Sequence, residues 1–525
     1  MSDDLPSALV EGLTQALGAA HVHTDLPTRR LMSCDIFSEG ALAGVVAAPG
    51  STEQTAQAVA VAARLQAPIY PRGGGMSYTG GYLAERPGGM VLDLRRLNRI
   101  TAIAAEDRYV TAEAGVTWEA LFAALKPHGL RTPFWGPLSG LTSTLGGGLS
   151  QNNAFFGAAQ HGATADSVLS VTVVTASGAV LRTGTAAAEN AKPFFRHSGP
   201  DLTGLFVGDC GALGVKTEVT FRLIPAPEHE TWASFSFQNC RDWIAGTAMA
   251  ARTGVACELV GFDPGLARVR MQRASLLADA GALMKVVGAQ KSLIQGLKEG
   301  AKVALAGRGF LEAADYSLHA VVEGRSQAAV EADMTRLRAA VMACGAREVE
   351  NTIPKVMRAQ AFGPLNSVLG PGGERWAPVH GLVAHSDAGA AFAALEDVFA
   401  QRREAFERHG VTTGYLTTIV GQTGFLIEPV FYWPDARFAL HQETVEDAFL
   451  AKLPIHASNP EAFAVVQEAR RAVVHAFGRF GAAHFQVGRA YPLMDTRTPE
   501  VAGLLRALKA SLDPHRLMNP GALGL

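Results

Sequence analysis

Charge is scarce in this 525-residue chain. Asp, Glu, Lys and Arg make up 18% of it, below the roughly 25% usual for soluble proteins, so much of the chain belongs in a large core or an interface. The 46 basic and 48 acidic residues leave a formal net charge of −2. No Lys/Arg run forms a basic stripe, and nothing points to a nucleic-acid partner. Cysteine is sparse too: Cys34, Cys210, Cys240, Cys257 and Cys344 include no CxxC pair. That pattern argues for a reducing compartment and against a disulfide framework. No run of about 18 apolar residues occurs, so no transmembrane helix is expected. The N-terminal "MSDDLPSALVEG" is acidic and lacks a signal-peptide pattern. A cytoplasmic protein is the expectation. There is no internal repeat, no GxxxxGK[ST] phosphate loop, and no GxSxG to support a hydrolase.

Glycine, by contrast, is abundant, with 56 residues, and it clusters. Five fall within "PRGGGMSYTGG" (71–81), directly after the short apolar strand "APIY". Glycine suits places where the chain turns with positive φ or lets a ligand approach. Successive backbone N–H groups in such a turn form a nest for an anion. No GxGxxG fits there, so a dinucleotide fingerprint of the Rossmann type is excluded. A second cluster, "LGGGLSQNN", spans 145–153.

The rest of the chain reads as mixed helix and strand. Ser51 and Gln54 have capping-box spacing ahead of a helix with Ala56, Val59, Ala60 and Ala63 on one face. "GMVLDL" and "YVTAEAGVT" are strands. "TWEALFAALKPHG" is a helix that stops at Gly129. "SVLSVTVVTASGAVLRTG" is a hairpin with a Ser-Gly turn. "GVKTEVTFRLIP" alternates, with Val215, Thr217, Val219, Phe221 and Leu223 on one face. Pro225 and Pro227 place a domain boundary near 226. Beyond it, long helical segments alternate with strands such as "GFLIEPVFYW". The tail carries a helix that stops at Asp513-Pro514.

Six segments, taken together and in order, resemble the vanillyl-alcohol oxidase / p-cresol methylhydroxylase (PCMH-type) superfamily of FAD enzymes, related to FAD-linked oxidases and D-lactate/glycolate dehydrogenases. They are "PRGGGMSYTGG", "VLDLRRLNRI", "VTAEAGVTWEALFAAL", "LGGGLSQNNAFFGAAQHGATADSVLSVTVVTASGAVLRTG", "DLTGLFVGDCGALGVKTEVTFRLIP" and "DPHRLMNPG". The resemblance implies an α+β fold in two domains: an FAD-binding PCMH-type domain over 1–226, an antiparallel-sheet cap over 227–489, and a tail, 490–525, returning to the FAD domain. It also implies that Arg72, Gly73, Gly74, Gly75, Met76 and Ser77 wrap the FAD pyrophosphate. Pro137, Thr144, Gly146, Gly147, Asn153 and Gly157 would lie along the flavin, with Gly214, Val215 and Asn519 adding contacts. Some relatives attach FAD through a histidine in the first loop. Met76 and the absence of histidine there favour non-covalent FAD.

The substrate side departs from both known branches. The D-2-hydroxy-acid branch holds a metal with an HxGDGNxH-like strand, where this chain reads "TTIVGQTGFLIEPVFYW", without the histidines. No metal is expected. "RWAPVHGLV" and "GRAYPLMD" resemble the phenol-oxidising branch, but Arg489 and Tyr491 are not adjacent as that branch has them. Thr144-Leu145 stand where it has a carboxylate. Within this frame His484 is a candidate general base, and Arg489 a candidate clamp for a substrate anion, with Tyr491 beside it. Tyr78 is a candidate substrate contact. Glu428 is a carboxylate in an apolar strand, where burial would raise its pKa.

The expected function is an FAD oxidoreductase taking hydride from a CH–OH or benzylic C–H group of a small, phenolic alcohol. A metal-free 2-hydroxy-acid dehydrogenase is the alternative, and a non-catalytic flavin-binding protein a third reading. Oxygen, a quinone, a cytochrome and an electron-transfer flavoprotein stay open as acceptor. A homodimer is compatible with the resemblance.

Overall fold

The computed structural model describes residues 6–277 and 315–525. The remainder of the expected cap, 278–314, lies outside the described residues. The strands fall into two groups along the chain. Strands up to Ile224–Pro225 build the first group, and strands from His229–Phe237 to Gly424–Trp433 build the second.

In the first group, Val45–Ala47, Met90–Asp93 and Ile69–Arg72 pair in parallel, with Val22–His23 antiparallel at the edge. The faces of a parallel unit need cover, and two helices supply it early. Ser7–Leu17 and Thr52–Arg64 pack together over Leu13, Val59, Ala62, Ile69 and Leu92. The second of these helices is capped as its sequence suggests: the Gln54 amide donates to Ser51 Oγ at 3.2 Å. Its inward face differs from the expected one, however. Thr55, Ala58, Val59, Val61 and Ala62 are buried, while Ala60 is exposed. A run of alanines gives little contrast between faces, so periodicity alone chose the wrong stripe.

A five-stranded antiparallel sheet follows, with Val215–Arg222 between Tyr109–Glu113 and Val168–Val174. The Val168–Val174/Val180–Arg182 hairpin turns at Gly178, whose φ of +83 suits glycine. The tail returns to the first group. Ile69 N–H donates to Leu517 O and Asn519 N–H donates to Ile69 O, both at 2.8 Å.

The second group is an eight-stranded antiparallel sheet. Helices Cys240–Arg252, Gln327–Met342, Ala388–Ala400 and Pro460–Gly478 cover one face, burying Trp243, Met334, Phe392, Phe431 and Phe477. Buried ion pairs cross between the two groups. Arg131, on the strand Leu130–Arg131, meets Glu323, which also meets Arg358, and Arg358 Nε lies 3.1 Å from Glu258. Among the described residues no helix is long and apolar enough to cross a membrane.

Candidate active site

The site is built around the first glycine loop. After the strand Ile69–Arg72 the chain runs through Gly73–Tyr78 without regular structure. Its carbonyls and ends are tied down. Tyr82 Oη lies 2.8 Å from Gly75 O, and Ile36 N–H donates to Ser77 O at 3.1 Å. The buried Asp35 carboxylate accepts from the amides of Phe37, Ser38 and Gly80 at 2.7–2.8 Å. Among the described residues, the amides of Gly73, Gly74, Gly75, Met76 and Ser77 meet no protein acceptor, and all five residues line one cleft. Buried amides are nearly always paired. Five consecutive unpaired ones are an arrangement that could cradle an anion. Arg72 lines the same wall, 2% exposed, with its Nε unpartnered.

The second glycine cluster proves to be a helix, Leu145–Gln151, capped by Thr144. Its glycines answer to packing as well as to any ligand. A Cβ at Gly146 would stand 2.6 Å from Ala114 Cβ, and one at Gly148 2.8 Å from Trp118 Nε1. The same holds in the first loop, where a Cβ at Gly74 would stand 2.0 Å from Thr142 O. The first loop is pressed against Thr142–Thr144, which lead into the glycine helix, and both segments line one wall of the cleft. Pro137, Thr144, Gly146, Gly147, Asn153 and Gly214 line it. Gly157, Val215 and Asn519 do not. Gly157 donates to Glu258 at 3.2 Å, Val215 is buried in its strand, and Asn519 Nδ2 ties Gly81 O to Cys210 O.

The opposite wall comes from the large sheet and its helices. Glu428 projects from the strand Gly424–Trp433 into the cleft. It has no hydrogen-bond or ion-pair partner among the described residues, and burial alone raises its pKa to about 7. Tyr78 faces the same space. Its hydroxyl accepts from Gln486 Nε2 at 2.7 Å, and its ring packs edge-on to Trp376. Burial, followed by the Glu428 charge, holds the Tyr78 phenol well above its ordinary pKa, so it stays protonated.

His484 and Tyr491 stand behind this wall, Arg489 sits against the end of the first glycine loop, and none of the three lines the cleft. His484 Nδ1 lies 2.7 Å from His380 O, and its ring stacks on Tyr491 at 4.1 Å. Arg489 donates to Gly80 O and Pro520 O, both at 2.6 Å. Tyr491 Oη accepts from the His380 amide at 3.0 Å. His380 itself reaches the cleft. Burial pushes its pKa down to about 3, and its two ring nitrogens face Phe485 and Tyr491. The sequence points to His380 only as half of a superficial metal pair with His385, and to Trp376 only within "RWAPVHGLV"; it singles out none of Gln486, Arg270 and Arg273. The two arginines carried a usable signal, since a spacing of three puts them on one helical face. Among the described residues no cluster of three or more metal-binding side chains occurs.

Residues 43–184 match the family model described as an FAD binding domain, and 457–523 match the FAD linked oxidases, C-terminal domain. The five free amides and the Arg72 guanidinium, whose Nε has no partner among the described residues, fit the diphosphate of such a cofactor. The whole chain shares the fold of a solved p-cresol methylhydroxylase, with a TM-score of 0.72 at 18% identity over 99% of this chain and 96% of that one. The chain thus shares the fold of that enzyme, and two of its stretches match models of an FAD binding domain and of the FAD linked oxidases' C-terminal domain. Among curated proteins it is 34% identical over 194 residues to the glycolate oxidase subunit GlcD of Bacillus subtilis, covering 37% of this chain and 40% of that one. It is 33% identical over 198 residues to the mitochondrial D-lactate dehydrogenase [cytochrome] of Arabidopsis thaliana, covering 38% and 33%. These matches span at most two-fifths of the relatives' length.

Proposed function

We propose that the protein is an FAD-dependent oxidoreductase that oxidises a CH–OH group of a small-molecule donor. The observation that carries this reading is the Glu428 carboxylate, which faces the cleft with no partner among the described residues; burial raises its pKa to about 7. The phenolic-alcohol reading of the sequence gives way here to the 2-hydroxy-acid one, because the curated relatives are named as glycolate and D-lactate enzymes. FAD is held without a covalent link. Met76 occupies the first loop, and both ring nitrogens of the cleft histidine, His380, already face protein partners.

The bound flavin would supply the hydride acceptor. Everything else falls to the chain. Glu428 Oε takes the donor hydroxyl proton as the hydride departs. A base whose pKa lies near working pH serves this task best. The Tyr78 hydroxyl, oriented by Gln486, donates a hydrogen bond to the same oxygen. Trp376 and the apolar side chains around it exclude water, which strengthens both interactions.

The test is anaerobic mixing of the flavin-loaded protein with D-2-hydroxy acids and, separately, with benzylic and phenolic alcohols, following the loss of flavin absorbance. Bleaching by hydroxy acids alone is expected. Bleaching by phenolic alcohols alone would restore the other substrate class. No bleaching by either would leave a flavin-binding protein without this activity.

A further inference from the structure

The helix Pro264–Leu277 brings Arg270 and Arg273 to the cleft. Elsewhere Arg131, Arg358 and Arg375 answer burial with a carboxylate. Arg270 and Arg273 do not. Among the described residues neither meets an acid. Arg273 is 8% exposed, donates to Leu369 O at 2.8 Å, and leaves its Nε unpartnered. The Arg270 guanidinium lies 4.2 Å over the Phe262 ring, and burial followed by the neighbouring Arg273 charge lowers its pKa to about 10. Tyr432 and His319 lie close as well: the Tyr432 phenol feels both cations, and His319 feels the Arg270 charge. Arginine does not shed its proton to escape burial. Two adjacent guanidiniums, Arg273 buried and Arg270 half-buried, with no acid beside them among the described residues, suit an anion from outside.

This pair stands apart from the proposed base. Glu428, Val430 and Tyr432 alternate along one strand and all line the cleft. Four residues of strand separate the backbones of Glu428 and Tyr432 by about 13 Å. Neither guanidinium contributes to the Glu428 pKa, whereas Tyr78 and Tyr491 both feel the Glu428 charge. Between the two ends the wall is apolar, formed by Leu266, Leu416 and Val430.

We propose that Arg270 and Arg273 form an anion subsite, and that the donor carries a carboxylate separated from its carbinol carbon by an apolar spacer. This rests on the reading of the Glu428 cleft as the donor site. It differs from that reading in requiring a distal carboxylate, which a two- or three-carbon hydroxy acid lacks.

The test uses flavin-loaded protein and non-reacting probes. Octanoate, octanol and acetate are titrated by calorimetry into the wild type and into Arg270→Met and Arg273→Met. Octanoate is expected to bind at least tenfold more tightly than octanol or acetate. Each substitution should weaken octanoate about tenfold or more and leave octanol unchanged. Equal binding of octanoate and octanol, or of octanoate and acetate, overturns the subsite. So does loss of flavin from the variants with octanoate affinity intact, which would assign the arginines to the cofactor. A second arm measures flavin bleaching by D-2-hydroxyoctanedioate, a 2-hydroxy acid with a distal carboxylate, which is expected to bleach the flavin at lower concentration than D-lactate. Arginine-dependent octanoate binding without bleaching by any hydroxy acid would uphold the subsite and sink the oxidoreductase reading instead.

Discussion

Arg489 Nη2 donates to Asn519 Oδ1 at 3.0 Å, and Asn519 Nδ2 donates to Gly81 O at 2.6 Å. Through these two contacts the tail clasps the end of the first glycine loop. Arg489 reaches the loop directly as well, at Gly80 O. Its guanidinium is thereby engaged away from the cleft. Arg489→Ala should loosen the loop and lower flavin content at purification. In the fraction that retains flavin, donor affinity should stay within about threefold of wild type. Flavin titration of the stripped protein, paired with a donor KM on the loaded fraction, separates the two effects. Full flavin content with a large rise in KM would return Arg489 to the substrate.

Glu428→Gln keeps the size of the side chain and removes the base. Flavin reduction should slow by about 10²–10⁴-fold, the range for losing a positioned general base. In the wild type the rate should rise with pH through about 7, as the carboxyl ionises. That limb should vanish in Glu428→Gln. His484→Ala should change the rate less than tenfold, because His484 lies behind His380 and outside the cleft. Stopped-flow absorbance across pH 5–9 checks all three. A normal Glu428→Gln rate beside a crippled His484→Ala would exchange their roles.

The glycine segments were legible because close backbone packing admits no other residue type, and their order along the chain is itself informative. The strand Val215–Arg222 was legible for a similar reason: its residues alternate, and Pro225 and Pro227 follow it. The helix Leu145–Gln151 was not, since three glycines in seven residues oppose helix propensity and only the Thr144 cap and tertiary packing override it. On the cap wall the limit was spatial. Arg270, Arg273, Trp376, His380 and Gln486 come from distant stretches, and a single sequence carries no sign that one sheet gathers them. Glu428 was visible as an acid in an apolar strand. Its lack of a partner was not.

A base kept partnerless in an apolar wall should weigh on stability. The folded pKa of Glu428 is raised to about 7 from 4.5. The folded state therefore holds its proton where the unfolded state releases it, and stability falls as pH rises through that window. Ionised, the carboxyl costs roughly 3 kcal/mol at most. Glu428→Gln should thus be more stable than wild type at pH 8, by about 1–3 kcal/mol, and close to it at pH 4. Urea midpoints at the two pH values decide. A variant no more stable at pH 8 would mean that the carboxylate finds a partner in solution.

The opposite case sits where the two groups of strands meet. Burial of Glu323 would raise its pKa, but Arg358 and Arg131 outweigh it and hold the carboxyl at about 2. A depressed carboxyl stabilises the fold above its unfolded pKa and loses that contribution as pH falls toward 2. Removing one partner strands the others. Arg131→Met leaves Glu323 with Arg358, which Glu258 also claims. Breaking a buried pair from one side typically costs about 3–5 kcal/mol. Arg131→Met should therefore lower the urea midpoint at pH 7, and Arg131→Met/Glu323→Gln should recover part of the loss, since no unpaired charge remains on that side. Additive losses in the double variant would show that Arg131 and Glu323 act independently.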